Sequence, residues 1–108
     1  MNWFRKDQDG KFIWPGYGEN MRILKWMIDC VRGRATRRET PLGFIPRVDD
    51  LDLAGLNISA AKIEEALAIN KDEWRQELES AAEFFKTLEP NLPKALELQR
   101  QMLLAQLA

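Results

Sequence analysis

The chain has 108 residues, 45% hydrophobic and 31% charged, with sixteen basic against seventeen acidic side chains. That is enough apolar content for a modest core and at most one small domain. A net charge of −1 provides no field for nucleic acid or an anionic membrane surface, and no apolar run approaches the roughly 20 residues of a membrane span.

There is no histidine, so a His general base, a His metal ligand and a Ser-His pair are all excluded within the chain. Cys30 is the lone cysteine and cannot form an internal disulfide, which fits a reducing compartment. With Ile23 and Met27 it lies in an apolar helical pattern, the setting of a buried or half-buried structural thiol.

Six of the ten aromatic residues lie between Trp3 and Trp26. Phe4 and Phe12-Ile13-Trp14 read as short extended pieces around an Asp7-Gln8-Asp9-Gly10 turn. Pro15-Gly16-Tyr17-Gly18 breaks regular structure. Two glycines beside Tyr17 let the backbone come close to a flat ligand. Asn20 adds an amide that can both donate and accept. Apolar rings plus one amide suit a planar, hydrogen-bonding ring such as a nucleobase. The residues alone leave two readings open for each part: the rings as core or as ligand walls, and Asn20 as helix cap or base reader.

A helix over 21–32 is expected, because Met21, Leu24, Ile28 and Val31 recur at helical spacing, with Gly33 as its stop. Residues 33–58 read as a long irregular loop, in which Gly43-Phe44-Ile45 is a candidate strand. Arg32, Arg34, Arg37 and Arg38 crowd the start of this loop, and Asp49, Asp50 and Asp52 its later part. They read as complementary, solvated charges. A structureless connection of this length is unusual unless it is functional or packs on a neighbour that is missing.

Residues 59–108 read as helices. Ser59 caps a segment of about 60–68, and Asn70 with Glu73 resembles a capping box. Trp74, Leu78, Ala81 or Ala82, Phe85 and Leu88 make an apolar stripe in a helix that ends at Pro90. Pro93 opens a last helix with Leu96, Met102, Leu103 and Leu107 inward. These helices are expected to pack against each other and against the first. No Gly-x-x-x-x-Gly-Lys-Ser/Thr loop and no convincing Asp/Glu metal cluster is present.

The run Trp3-Phe4-Arg5, then Gly10-Lys11-Phe12-Ile13-Trp14-Pro15-Gly16-Tyr17-Gly18-Glu19-Asn20-Met21-Arg22-Ile23-Leu24-Lys25-Trp26-Met27, resembles the guanine-binding segment of GTP-dependent phosphoenolpyruvate carboxykinase. The likeness continues through Thr40-Pro41-Leu42-Gly43-Phe44-Ile45-Pro46, Asp50-Leu51 and Gly55-Leu56. It implies that Phe4, Phe12 and Tyr17 line the guanine ring and that Asn20 hydrogen-bonds it, with Trp14 as core support. Tyr17 stands where a Phe is common in the family. Family members convert oxaloacetate and GTP to phosphoenolpyruvate, carbon dioxide and GDP in gluconeogenesis, in the cytoplasm, with manganese and usually magnesium.

The resemblance thus implies a mainly α fold: a small helical domain with a short N-terminal β-hairpin and a long loop, itself a fragment of a larger α/β enzyme. The chain begins inside the matching run, as an excised C-terminal piece would. Such a piece binds guanine nucleotide, holds neither Mn2+ nor Mg2+, contributes no catalytic residue and is inactive alone. Its partners are the upstream remainder of the enzyme and, through uncovered apolar surface, further copies of itself. The other reading of the sequence is a free-standing helical protein-interaction module.

Overall fold

A computed structural model describes residues 2–108. The chain forms two compact units, Met1–Ala68 and Ile69–Ala108.

In the first unit the N-terminal segment doubles back around Asp7–Gly10. The Asp7 carboxylate accepts from the backbone N–H of Asp9 (2.9 Å) and of Lys11 (3.0 Å), and Gly10 takes φ 75°. A single antiparallel bridge joins Lys6 and Phe12, and Ile13 N–H donates to Arg5 O at 2.9 Å. The turn foreseen here is present, but the pairing stops at one bridge. Two ties hold the turn to its own unit: Lys62 Nζ lies 3.4 Å from Asp7 Oδ2, and an Arg5 N–H donates to Ala68 O at 2.7 Å.

A 3-10 turn, Tyr17–Glu19, leads into helix α1, Asn20–Val31. The helix stops as Gly33 turns to φ 70° and its N–H reaches Cys30 O at 3.0 Å. Its buried face is Ile23 and Trp26, with Cys30 half-buried beside them. Met21, Leu24, Ile28 and Val31, whose spacing marks the helix, lie on its exposed side. Only Arg22, Lys25 and Asp29 are charged in α1, so the helix is apolar over most of its circumference and offers two candidate faces. Packing selects the face carrying Trp26, whose indole N–H finds Thr36 O at 3.0 Å.

The connection after α1 is more regular than its sequence suggests. Strands β1 (Arg38–Thr40) and β2 (Gly43–Ile45) pair antiparallel, Arg38 with Ile45, Glu39 with Phe44 and Thr40 with Gly43. The two-stranded hairpin of the fold therefore lies here rather than at the N-terminus. Thr40 Oγ1 donates to Gly43 O at 2.6 Å, closing the turn at Pro41-Leu42, and Gly43 takes φ 110°. A 3-10 turn, Val48–Asp50, follows.

Leu51 enters the core with Trp14, Ile23, Trp26, Ile63 and Leu67, while Ala35, Val48, Leu53 and Ile58 pack against that cluster. Much of the long connection thus covers its own unit, and no absent neighbour is needed to explain it. Among the described residues, none of Arg32, Arg34, Arg37 and Arg38 forms an ion pair with Asp49, Asp50 or Asp52. Arg22 pairs with Glu19 at 2.6 Å and reaches Asp52 at 4.0 Å, and Thr36 hydrogen-bonds Asp50. Arg37 stacks over Phe44, 4.1 Å from the ring centroid. Helix α2, Ala60–Leu67, closes the unit; Ser59 Oγ caps it by accepting from Lys62 N–H at 3.2 Å.

The second unit is a helical pair, α3 (Lys71–Leu88) and α4 (Lys94–Gln106). Asn70 Oδ1 caps α3, accepting from Asp72 and Glu73 N–H groups at 3.0 and 3.2 Å. Arg75 donates to Leu107 O (2.6 Å) and Arg100 to Leu78 O (3.3 Å), which staples the helices together. Leu78 and Leu107 are buried, but Trp74, Leu88, Leu96 and Met102 of the expected stripes remain exposed. A two-helix layer has only one face to cover, so a wider stripe is left over.

Candidate functional site

The aromatic residues divide cleanly. Trp14 and Trp26 are buried and Trp3 packs against their cluster, its ring meeting that of Trp14 edge-on at 5.7 Å. Phe4, Phe12 and Tyr17 are 76%, 58% and 91% exposed. The hydrophobic effect alone would bury all six, and a large ring left in water without a partner is the more informative case. Of these six, the three tryptophans go to the core or its edge, and Tyr17 and two phenylalanines stay outside.

Local structure explains their placement. Phe12 makes the bridge and its ring faces out, while Ile13 and Trp14, on the bend that follows, both turn into the unit. The bridge with Lys6 then brings Phe4 beside it: the two rings meet edge-on with centroids 6.3 Å apart. Lys6 Nζ sits 5.2 Å over the Phe12 ring, a cation–π contact on an exposed face. Tyr17 follows Gly16, whose φ of 127° lies where a side chain is rarely tolerated. No protein atom lies within 4 Å of where a Cβ would stand on Gly16 or Gly18, so the backbone beside Tyr17 is open to approach.

Asn20 is the first residue of α1, not its cap. The N-cap position is Glu19, which makes no side-chain cap bond. Asn20 N–H donates to Tyr17 O, placing the two residues one turn apart. The Asn20 side chain turns toward Trp14, whose Nε1–H donates to Asn20 Oδ1 at 2.8 Å. Among the described residues no acceptor is recorded for the Asn20 amide N–H groups, and the side chain is half-buried.

The structure thus joins Phe4 to Phe12 and Asn20 to Tyr17. Two further residues touch these candidates, Lys6 over Phe12 and Trp14 at Asn20. Lys6 was invisible because its place over Phe12 depends on the bridge. The sequence marks Trp14 only as core. Its signal was its chemistry: a buried indole N–H requires an acceptor, and Asn20 is a side-chain amide six residues on.

The electrostatics of the segment serve its shape. Asp7 has its carboxyl pKa lowered, chiefly by the Lys11 N–H and further by Lys62, which keeps the acceptor of the turn ionised. A separate open cleft in the second unit is lined by Glu89, Pro90, Leu92, Lys94, Glu97, Leu98 and Gln101, none of them in the aromatic set. Among the described residues no group of three or more Cys, Asp or Glu side chains could hold a metal ion. No helix is long and apolar enough to cross a membrane.

Comparison with known proteins places the segment in context. The family described as phosphoenolpyruvate carboxykinase C-terminal P-loop domain matches residues 1–106. A protein of Anaeromyxobacter dehalogenans (strain 2CP-1) named phosphoenolpyruvate carboxykinase [GTP] is 54% identical over 104 residues, 96% of this chain and 17% of its own length. One of the same name from Arthrobacter sp. (strain FB24) is 45% identical over 96 residues, 89% of this chain and 16% of its own length. The chain therefore spans about a sixth of the length of the curated relatives it matches. A match over nearly every residue disfavours a free-standing interaction module, and the chain belongs to the phosphoenolpyruvate carboxykinase C-terminal P-loop domain family.

Proposed function

We propose that the chain is the guanine-nucleotide-binding, C-terminal part of a GTP-dependent phosphoenolpyruvate carboxykinase. The parent enzyme, a decarboxylating lyase, converts oxaloacetate and GTP to phosphoenolpyruvate, carbon dioxide and GDP in gluconeogenesis, in the cytoplasm. The observation that carries this reading is the exposure of Phe4, Phe12 and Tyr17 beside a buried tryptophan core.

The three rings are the walls for the base. Stacking contributes on the order of 1–3 kcal/mol per contact and is blind to base identity. Asn20 supplies selectivity, because a base with the wrong edge leaves a buried polar group unpaired. The nucleotide's phosphates, the dicarboxylate and the Mn2+ and Mg2+ of the parent enzyme are held by the upstream polypeptide. Alone, this chain gives only background turnover in an assay coupling GTP and oxaloacetate to phosphoenolpyruvate.

The test is the ratio of GTP to ATP affinity, followed by tryptophan fluorescence. Asn20→Ala narrows that ratio by roughly 1–3 kcal/mol. An unchanged ratio in the folded variant would show that Asn20 reads nothing on the base.

A further inference from the structure

Between Arg32 and Arg47 the chain carries five arginines and one carboxylate, Glu39. All five arginines are exposed, and among the described residues none has an ion-pair partner. Arg22, Lys25, Lys62, Arg75, Lys86 and Arg100 do find carboxylates, so the omission is local. The acidic groups nearby are engaged elsewhere. Asp29 is bonded to Lys25 at 2.6 Å, and Asp50 accepts from Thr36 and from the Arg47 backbone N–H. One guanidinium is already held in place: Arg37 lies 4.1 Å over the Phe44 ring, so less freedom is lost when its N–H fork meets a carboxylate.

The same stretch offers an open strand edge. β1 and β2 form a two-stranded sheet, so β1 has a neighbour on one side only. Among the described residues no third segment hydrogen-bonds to the backbone of Arg38–Thr40. Pro41 and Pro46 have no N–H, so the hydrogen-bonded pairs of the ladder are Arg38 with Ile45 and Thr40 with Gly43. The N–H and C=O of Glu39 therefore point outward, a donor and an acceptor waiting for a strand.

We propose that the outer edge of β1 is a docking site for an extended, acidic segment of polypeptide, added as a third strand and held by the surrounding arginines. It is independent of the guanine site. The backbone of the segment pairs with Glu39, and its carboxylates meet Arg37, Arg38 and the arginines nearby. A nucleic acid could match the charge but has no run of N–H and C=O groups to match the edge. A second copy presenting the same edge would set arginine against arginine. Each exposed ion pair contributes little, so the binding is modest and depends on salt.

The experiment titrates the chain with a blocked peptide of about eight residues, alternating Glu and Val, and follows 15N–1H shifts. Shifts should saturate and centre on Arg37–Thr40, with the Glu39 amide moving most. Affinity should fall severalfold as salt rises from about 0.05 to 0.5 M. Arg37→Gln combined with Arg38→Gln should weaken binding about fivefold or more. The same peptide N-methylated at alternate residues keeps its charge but loses the ladder, and should bind about tenfold more weakly. This arm changes only the peptide, so it decides even where the double variant fails to fold.

Equal binding of the N-methylated peptide would show attraction by charge alone and overturn the proposal. So would a folded double variant with unchanged affinity, or a single-stranded oligonucleotide of equal charge that binds as tightly as the peptide. Shifts at β1 that appear on concentrating the chain alone, and that the peptide leaves unmoved, would assign the edge to a second copy and overturn it too. No saturable shift at all would do the same.

Discussion

Phe12 serves the scaffold and, in the proposed guanine site, the ligand as well. Its backbone completes the bridge with Lys6, while its ring stands 58% exposed between the edge of Phe4 and the Lys6 ammonium. Because the ring is outside the core, Phe12→Ala should leave the thermal midpoint nearly unchanged; a buried Phe truncation would cost about 3–5 kcal/mol. The same change should weaken GTP and ATP by a similar factor, on the order of 1–3 kcal/mol, because every base offers a π-face. Calorimetric unfolding beside the two titrations checks both halves. A large loss of stability would make Phe12 structural, and selective loss of GTP alone would contradict its part as a wall.

At the scale of elements, what the sequence revealed depended on whether the signal was local. Ser59 and Asn70 cap α2 and α3 where the residues indicated, and the 3-10 turn and α1 begin where glycine and proline end. The buried face of α1 was not legible. Its two apolar stripes have the same period, and only the tertiary partners Trp14, Leu51 and Ile63 select Ile23 and Trp26. β1 is Arg38-Glu39-Thr40, with no apolar alternation to announce a strand, and it forms because β2 is there to pair with it. Among the candidate site residues, Phe4, Phe12, Tyr17 and Asn20 are legible through the family resemblance, whereas the Trp14 bond exists only in the fold.

The helical pair carries its own pH signature. Arg100, and then Gln101, hold the Glu97 carboxyl down to about 2 from an ordinary value of 4.5. A carboxylate whose pKa is depressed on folding stabilises fully above its unfolded pKa, and that contribution is lost as pH falls through the folded one. The stability difference between the native chain and Glu97→Gln should therefore be constant from pH 7 to about 5 and shrink as pH falls from about 4.5 toward 2. Urea midpoints at several pH values measure it. A difference that is the same at pH 3 and pH 7 would mean that the Glu97 charge is not what holds Arg100 in place.

At the scale of the whole molecule, many large apolar side chains stand in water. Met21, Leu24, Ile28 and Val31 line one exposed side of α1, with no charge interrupting them. Contiguous apolar patches of a few hundred Å² tend to mark interaction surfaces. In relatives about six times as long, the remaining polypeptide is available to cover this side; alone, the chain should self-associate through it. Sedimentation should show a mass that rises with concentration and falls back in Ile28→Lys. A strict monomer at high concentration would count against it.

The central claim, that the exposed aromatic segment and not another surface holds the guanine base, is tested most directly by mapping GTP onto the chain by 15N–1H and aromatic 13C–1H chemical shifts. The shifts should concentrate on the rings of Phe4, Phe12 and Tyr17, the side-chain amide of Asn20 and the indole N–H of Trp14. Shifts concentrated instead on the α3–α4 cleft around Glu97 and Gln101, or no saturable shifts at all, would contradict it.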